Sequence, residues 1–140
     1  MVVRIVIAVA IIAAAGGVAW WMEHRRTASA PTQPRAVVPQ QLDRHDFAGP
    51  DAPWLVVLFT SSSCDSCQGL FDKARPLESE QVSVTEVEWP AERALHERYR
   101  IDAAPITVLV DAEGVTRASF VGAFTATDLW NALAELRADA

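Results

Sequence analysis

The sequence predicts an α/β fold: a mixed sheet with helices on both faces, preceded by one N-terminal transmembrane helix. Three observations predict it. Short β-branched and aromatic runs at 54–60, 82–89, 106–110 and 115–121 alternate with stretches of helical spacing. Their order, β-α-β-α-β-β-α, packs as one sheet covered on both sides. Residues 5–22, IVIAVAIIAAAGGVAWWM, hold no charge and no strong polar group.

The apolar run comes first. A helix rises about 1.5 Å per residue, so this run covers roughly 27 Å, close to the hydrocarbon thickness of about 30 Å. Trp20 and Trp21 stand at one end, where indoles favour the interface. A cleaved signal peptide is the main rival, with small residues at Ala13-Ala14-Ala15 and Gly17-Val18-Ala19. The run continues past those sites into Trp20-Trp21-Met22, which favours a single-pass anchor in the cell membrane. Arg25 and Arg26 after the span argue for a cytoplasmic C-terminal domain, and the short basic start argues for the opposite, so both orientations stand. The division expected is an anchor with its flanks at 1–26, a Pro-rich linker at 27–41 and a folded domain at 42–140. Pro31, Pro34 and Pro39 make the linker a semi-extended tether. Val37-Val38 is expected as a short edge strand.

Within the domain, WLVVLFT at 54–60 reads as a central strand buried on both faces. A helix is expected to follow from the cysteines onward, with Leu70, Phe71, Ala74 and Leu77 at helical spacing and Pro76 bending or ending it. Residues 82–89 form a second strand. Pro90 suits the first position of a helix over 90–100. Residues 106–110 form a third strand. Asp111-Ala112-Glu113-Gly114 is a turn into an antiparallel fourth strand at 115–121. The last helix starts near Thr125, where Thr125 and Asp128 form a variant capping box and Leu129, Leu133 and Leu136 line the inner face.

Composition closes several functional classes. The chain has 140 residues and a formal net charge of −6. Residues 36–140 hold 17 acidic and eight basic side chains, a net charge of −9. Such a domain is a poor partner for nucleic acid, whose binding draws on clustered Lys and Arg. Two cysteines cannot make a disulfide scaffold. There is no P-loop, GxGxxG or HExxH.

The one sharp chemical signal is Cys64-Asp65-Ser66-Cys67. Two cysteines three apart, where a strand hands over to a helix, let one sulfur attack and the other resolve. Unsatisfied N–H groups at a helix start favour the thiolate, which is the attacking species. Cys64 is the expected nucleophile and Cys67 the resolving thiol.

With the strand-CxxC-helix unit at 54–76, Ala104-Pro105 just before the third strand, and a closing hairpin plus helix, the chain resembles the thioredoxin superfamily in membrane-tethered form. The resemblance covers roughly residues 42–138. It implies a three-layer thioredoxin-like fold and a cis Pro105 facing the CxxC. Ala104 would lend backbone groups to a substrate chain. It implies thiol–disulfide exchange with protein substrates and no cofactor. The reducing partner would be a membrane electron carrier if the domain faces outward, or the soluble thioredoxin system if inward. Three departures stand out. Ser63 replaces the usual aromatic before the first cysteine, Leu58 replaces a buried Asp that accepts a proton during resolution, and Glu86 stands where a partner Lys is common. Two readings of Glu86 follow: a carboxyl on the middle strand that accepts the Cys67 proton, or an ordinary acid turned to solvent. Asp65 sets negative charge beside Cys64 and disfavours its thiolate. That predicts a reductant or isomerase-like role more than a strong oxidant. Ser66 is placed to donate to sulfur or to cap.

Other candidates read more plainly. A copper(I) module using the same two thiols is the alternative function. A zinc site would need ligands from His24, His45 or His96, and His96 is expected on a solvated face among Glu92 to Arg100. Ser61-Ser62-Ser63 lacks a GxSxG context and reads as a small-residue loop beside the sulfurs. Trp54, Trp89 and Trp130 read as core or half-buried aromatics.

Overall fold

Eight residues of near-continuous apolar character make the strand around which the rest is arranged. In the computed structural model, which describes residues 36–140 together with Gly16 and Gly17, β1 spans Trp54–Ser61. Side chains from Leu55 to Thr60 are all buried, as an interior strand requires. β2 (Val82–Trp89) runs parallel to β1, pairing Trp54 with Val82 through to Ser61 with Trp89. β3 (Ile106–Val110) runs antiparallel to β1, and β4 (Thr116–Val121) antiparallel to β3. The order across the sheet is β2-β1-β3-β4. β2, expected as a middle strand, is therefore an edge strand of this sheet, and β1 is interior.

Because side chains alternate across a strand, each face builds its own core. Leu55, Val57 and Phe59 pack with Val87, Ile106, Val108 and Val110 under Leu42, Phe47 and Tyr99. Val56, Leu58 and Leu109 pack on the opposite face under Leu70, Ala74, Phe124, Leu129 and Leu133. Each fully buried side chain of this size contributes about 1.5–3 kcal/mol of transfer free energy. The result is a three-layer α/β fold with helices on both faces.

The helices depart from expectation. The chain after β1 forms a 3₁₀ turn at Asp65–Cys67, and only then α1 (Leu70–Ala74), which passes into a second 3₁₀ turn at Arg75–Leu77. Gln68 is extended and Gly69 is left-handed, with φ +72, so the backbone resets between the sulfurs and the helix. The cysteines thus precede the helix rather than occupy its first turn. A five-residue helix is also a weak dipole. Pro76 sits in the closing 3₁₀ turn, where a missing N–H costs little.

Pro90 does not open the next helix. Glu92 donates its N–H to the Glu88 carbonyl at 2.7 Å, and its carboxylate takes the Glu88 N–H at 3.1 Å. This closed turn delays α2 to Arg93–Arg98. The last helix, α3 (Ala126–Ala138), carries the expected capping box between Thr125 and Asp128. Leu129 and Leu133 are buried and Leu136 is partly buried.

Val37-Val38 forms no strand. The contact with the sheet is made later, where Leu42 N–H reaches the Gly114 carbonyl and Thr116 N–H reaches the Gln40 carbonyl. Ala36 and Val38 pack on the first core, so the compact unit begins at Ala36. The apolar span at 5–22 and the linker up to residue 35 lie outside the described residues, Gly16 and Gly17 excepted. Among the described residues no helix is long and apolar enough to cross a membrane.

Candidate functional site

The sheet register brings the site together. β1 ends at Ser61 and leads directly to Cys64. β3 is antiparallel to β1 and pairs Ile106 with Phe59, so its first residues lie beside the end of β1. Pro105 is thereby delivered to the cysteines from about forty residues away. The Ala104–Pro105 bond is cis. The Pro105 carbonyl accepts the Gly122 N–H at 2.9 Å, which ties this loop to the end of β4.

Cys64 and Cys67 are joined as a disulfide, with Cα atoms 5.3 Å apart. The turn is held by Cys64 N–H on the Ser61 carbonyl at 3.1 Å and Cys67 N–H on the Cys64 carbonyl at 3.2 Å. Cys64 is half-buried, whereas Cys67 is only 7 % exposed. The Cys64 sulfur lies 3.7 Å from the Ala104 carbonyl oxygen and 3.4 Å from Ser66 Oγ. A disulfide sulfur has no hydrogen, so the Ser66 hydroxyl is the donor here. The turn has no side-chain cap, so Ser66 faces the sulfur rather than capping. Ser61 and Ser63 bond to one another, Oγ to Oγ at 3.1 Å.

Leu58 and Glu86 are register partners across β1 and β2. Glu86 shares a face of β2 with Val82 and Val84, which belong to the core under α1 and α3. It is half-buried, and its Oε1 accepts the Thr60 hydroxyl at 2.9 Å. A cavity of about 340 Å³ is lined by Thr60, Cys64, Cys67, Phe71, Glu86 and Glu88, among others. Glu86 therefore stands over the same space as the sulfurs, rather than turned wholly to solvent.

His96 is not on a solvated face. It is 4 % exposed, with Nε2 2.9 Å from the Val87 carbonyl and its ring edge-on to Phe59 and Trp89. The charged residues on either side of it mask the inner arc of α2, which Leu95, His96 and Tyr99 share by helical spacing. Trp54 and Trp89 are half-buried. Trp130 is 44 % exposed and donates its indole N–H to the Lys73 carbonyl at 3.0 Å. Among the described residues no three His, Cys, Asp or Glu side chains are grouped to hold a metal. Thr60 is a site residue that the sequence did not single out. It lies two positions after Leu58 on β1, which places it on the same face, but only the parallel register brings Glu86 to it.

Comparison with known proteins bears on this arrangement. The description "Thioredoxin-like domain" matches residues 41–137. Several solved structures are similar in fold. A mutant thioredoxin from Halobacterium salinarum NRC-1 is 21% identical with a TM-score of 0.51, over 59% of this chain and 73% of that one. The oxidized form of mitochondrial thioredoxin 3 from Saccharomyces cerevisiae is 18% identical with a TM-score of 0.51, over 62% and 82%. The germline-specific thioredoxin Deadhead from Drosophila melanogaster is 25% identical with a TM-score of 0.51, over 62% and 84%. No match is found among the curated proteins. A match across most of the chain, on a domain whose two cysteines are already bonded at the end of the central strand, means that this chain belongs to the thioredoxin-like family and is a thiol–disulfide oxidoreductase.

Proposed function

We propose that the chain is a membrane-tethered oxidoreductase that reduces or rearranges disulfides in other polypeptides. The observation that carries the reading is the inequality of the two sulfurs. Cys64 is half-buried beside the Ala104 carbonyl, and its partner Cys67 is nearly sealed. In the reduced enzyme the Cys64 thiolate attacks one sulfur of a substrate disulfide. A mixed disulfide forms, and the other substrate sulfur leaves as a thiolate that takes up a proton. Cys67 then loses its proton and attacks the Cys64 sulfur, releasing the second substrate thiolate. Two electrons have passed to the substrate, and the enzyme is left as the Cys64–Cys67 disulfide. Ala104 and Pro105 line the approach and offer backbone groups to an extended substrate. A thiol donor restores the dithiol, a membrane carrier or the thioredoxin system according to the side on which the domain lies. The tether rests on the charge-free run at 5–22. Asp65 beside Cys64 supports a reducing or isomerising role.

Trapping tests the chemistry. Cys67→Ser is expected to accumulate polypeptides as mixed disulfides released by dithiothreitol, and Cys64→Ser to accumulate none. If both variants come back empty, the exchange reading fails. If only Cys64→Ser traps, the two roles are reversed. Topology has its own measurement. In intact cells a membrane-impermeant maleimide modifies reduced Cys64 if the domain faces outward, and only after lysis if it faces inward. Recovery of the full chain in the soluble fraction would remove the tether.

A further inference from the structure

Across Ser61 from the Glu86 cavity lies a second one, of about 240 Å³, at the C-terminal ends of β1 and β2. Trp89, His96, Ile101, Asp102 and Ala104 form its wall with Ser61. Ala104 is the residue whose carbonyl meets the Cys64 sulfur, so this space adjoins the reactive atom.

Its polar chemistry is that of an acceptor. The Val87 carbonyl can only accept, so the hydrogen between it and His96 sits on Nε2. In the neutral ring Nδ1 then carries a free lone pair, and among the described residues no donor meets it. This nitrogen belongs to a side chain more than nine-tenths buried that lines the cavity. Asp102 is exposed on the rim and makes no ion pair among the described residues. Trp89 adds an aromatic surface, and this ring already carries the Arg93 guanidinium 5.4 Å from its centroid. No Lys or Arg lines this cavity or the one around the sulfurs, where Asp72, Glu86 and Glu88 add three more carboxylates.

We propose that the Trp89–His96–Asp102 cavity selects the substrate, taking the lysine or arginine side chain that neighbours the target cysteine. A cationic head group supplies the donors that Nδ1 and the Asp102 carboxylate lack. The inference deepens the disulfide-exchange reading and rests on it.

The test uses the full reduced chain and three peptides bearing the same disulfide, flanked by Lys, Gln or Glu. At low salt, kcat/KM for the Lys peptide is expected to exceed that for the Glu peptide about tenfold, chiefly through KM. The gap should narrow at high ionic strength. Asp102→Lys should reduce the ratio to near one. Glu135→Lys changes net charge equally on α3 and should leave the ratio within about twofold. Equal rates for the Lys and Glu peptides overturn the inference. So does an equal fall in Asp102→Lys and Glu135→Lys, which would assign the preference to overall charge. Failure to reduce any of the three peptides instead removes the exchange reading, and this inference with it.

Discussion

Leu58 and Glu86 meet across the register of β1 and β2, and that pair bears most directly on how the second half of the reaction is run. Leu58 is fully buried and offers nothing to a proton. Glu86 holds a carboxylate over the cavity it shares with Cys67, steadied by the Thr60 hydroxyl. If that carboxylate receives the Cys67 proton, Glu86→Gln keeps the size and the Thr60 hydrogen bond but removes the base. Release of substrate from a preformed mixed disulfide should then slow about tenfold or more near neutral pH, and recover as pH rises and the thiol ionises unaided. An unmoved pH profile would show that Glu86 takes no part. The cysteines were legible in the sequence because their chemistry is local: two sulfurs three residues apart define one another. His96 was not, because its burial comes from Phe59 and Trp89, which reach it through the sheet.

At the scale of elements, the hairpin between β3 and β4 shows how one carboxylate fixes a turn. Asp111 Oδ1 accepts the N–H groups of Glu113 and Val115, and Oδ2 accepts Arg117 Nε at 2.6 Å. Burial alone would push this carboxyl up, but the Val115 amide, Arg117 and the Glu113 amide together hold it below the usual carboxylate value of 3.8. A depressed folded value stabilises the fold above about pH 4, and that contribution disappears as pH falls through it. Asp111→Asn is expected to cost about 1–3 kcal/mol at pH 7, and to flatten the loss of thermal stability as pH falls below about 4. Thermal melts from about pH 7 down through that region check both. Gly114 closes the same turn at φ +82, where a Cβ would run into the Leu42 carbonyl oxygen. The four strands were readable from β-branched runs bounded by turn residues. The helices were less so, since Gly69 and the Glu88–Glu92 turn set their limits through backbone geometry that periodicity does not report.

Over the whole molecule, the layer of α2 is joined to the N-terminal segment by Tyr99. Its hydroxyl donates to Asp46 at 2.5 Å and accepts the Asp43 N–H at 3.0 Å, and Arg98 pairs with both carboxylates. Burial, then the hydrogen bond to Asp46, pushes Tyr99 up to about 12 from the usual 10.0. The raised folded value means this contribution to stability is complete below about pH 10 and is lost as pH climbs from about 10 toward 12. Tyr99 is the single tyrosine, so ultraviolet absorbance of the phenolate should show its ionisation near pH 12 in the native protein and near 10 in denaturant. A native midpoint near 10 would mean that the link between the layers is open. The overall architecture was legible because pattern, order and the CxxC agree. The placement of residues 36–47 was not, because it depends on bonds to residues some seventy positions later. Leu42 joins the sheet at Gly114, and Arg44 reaches the Asp111 carbonyl at 2.7 Å, both at the Trp54 end of β1. Force applied at Ala36 would therefore meet the hairpin bonds first, at the end of β1 opposite Cys64.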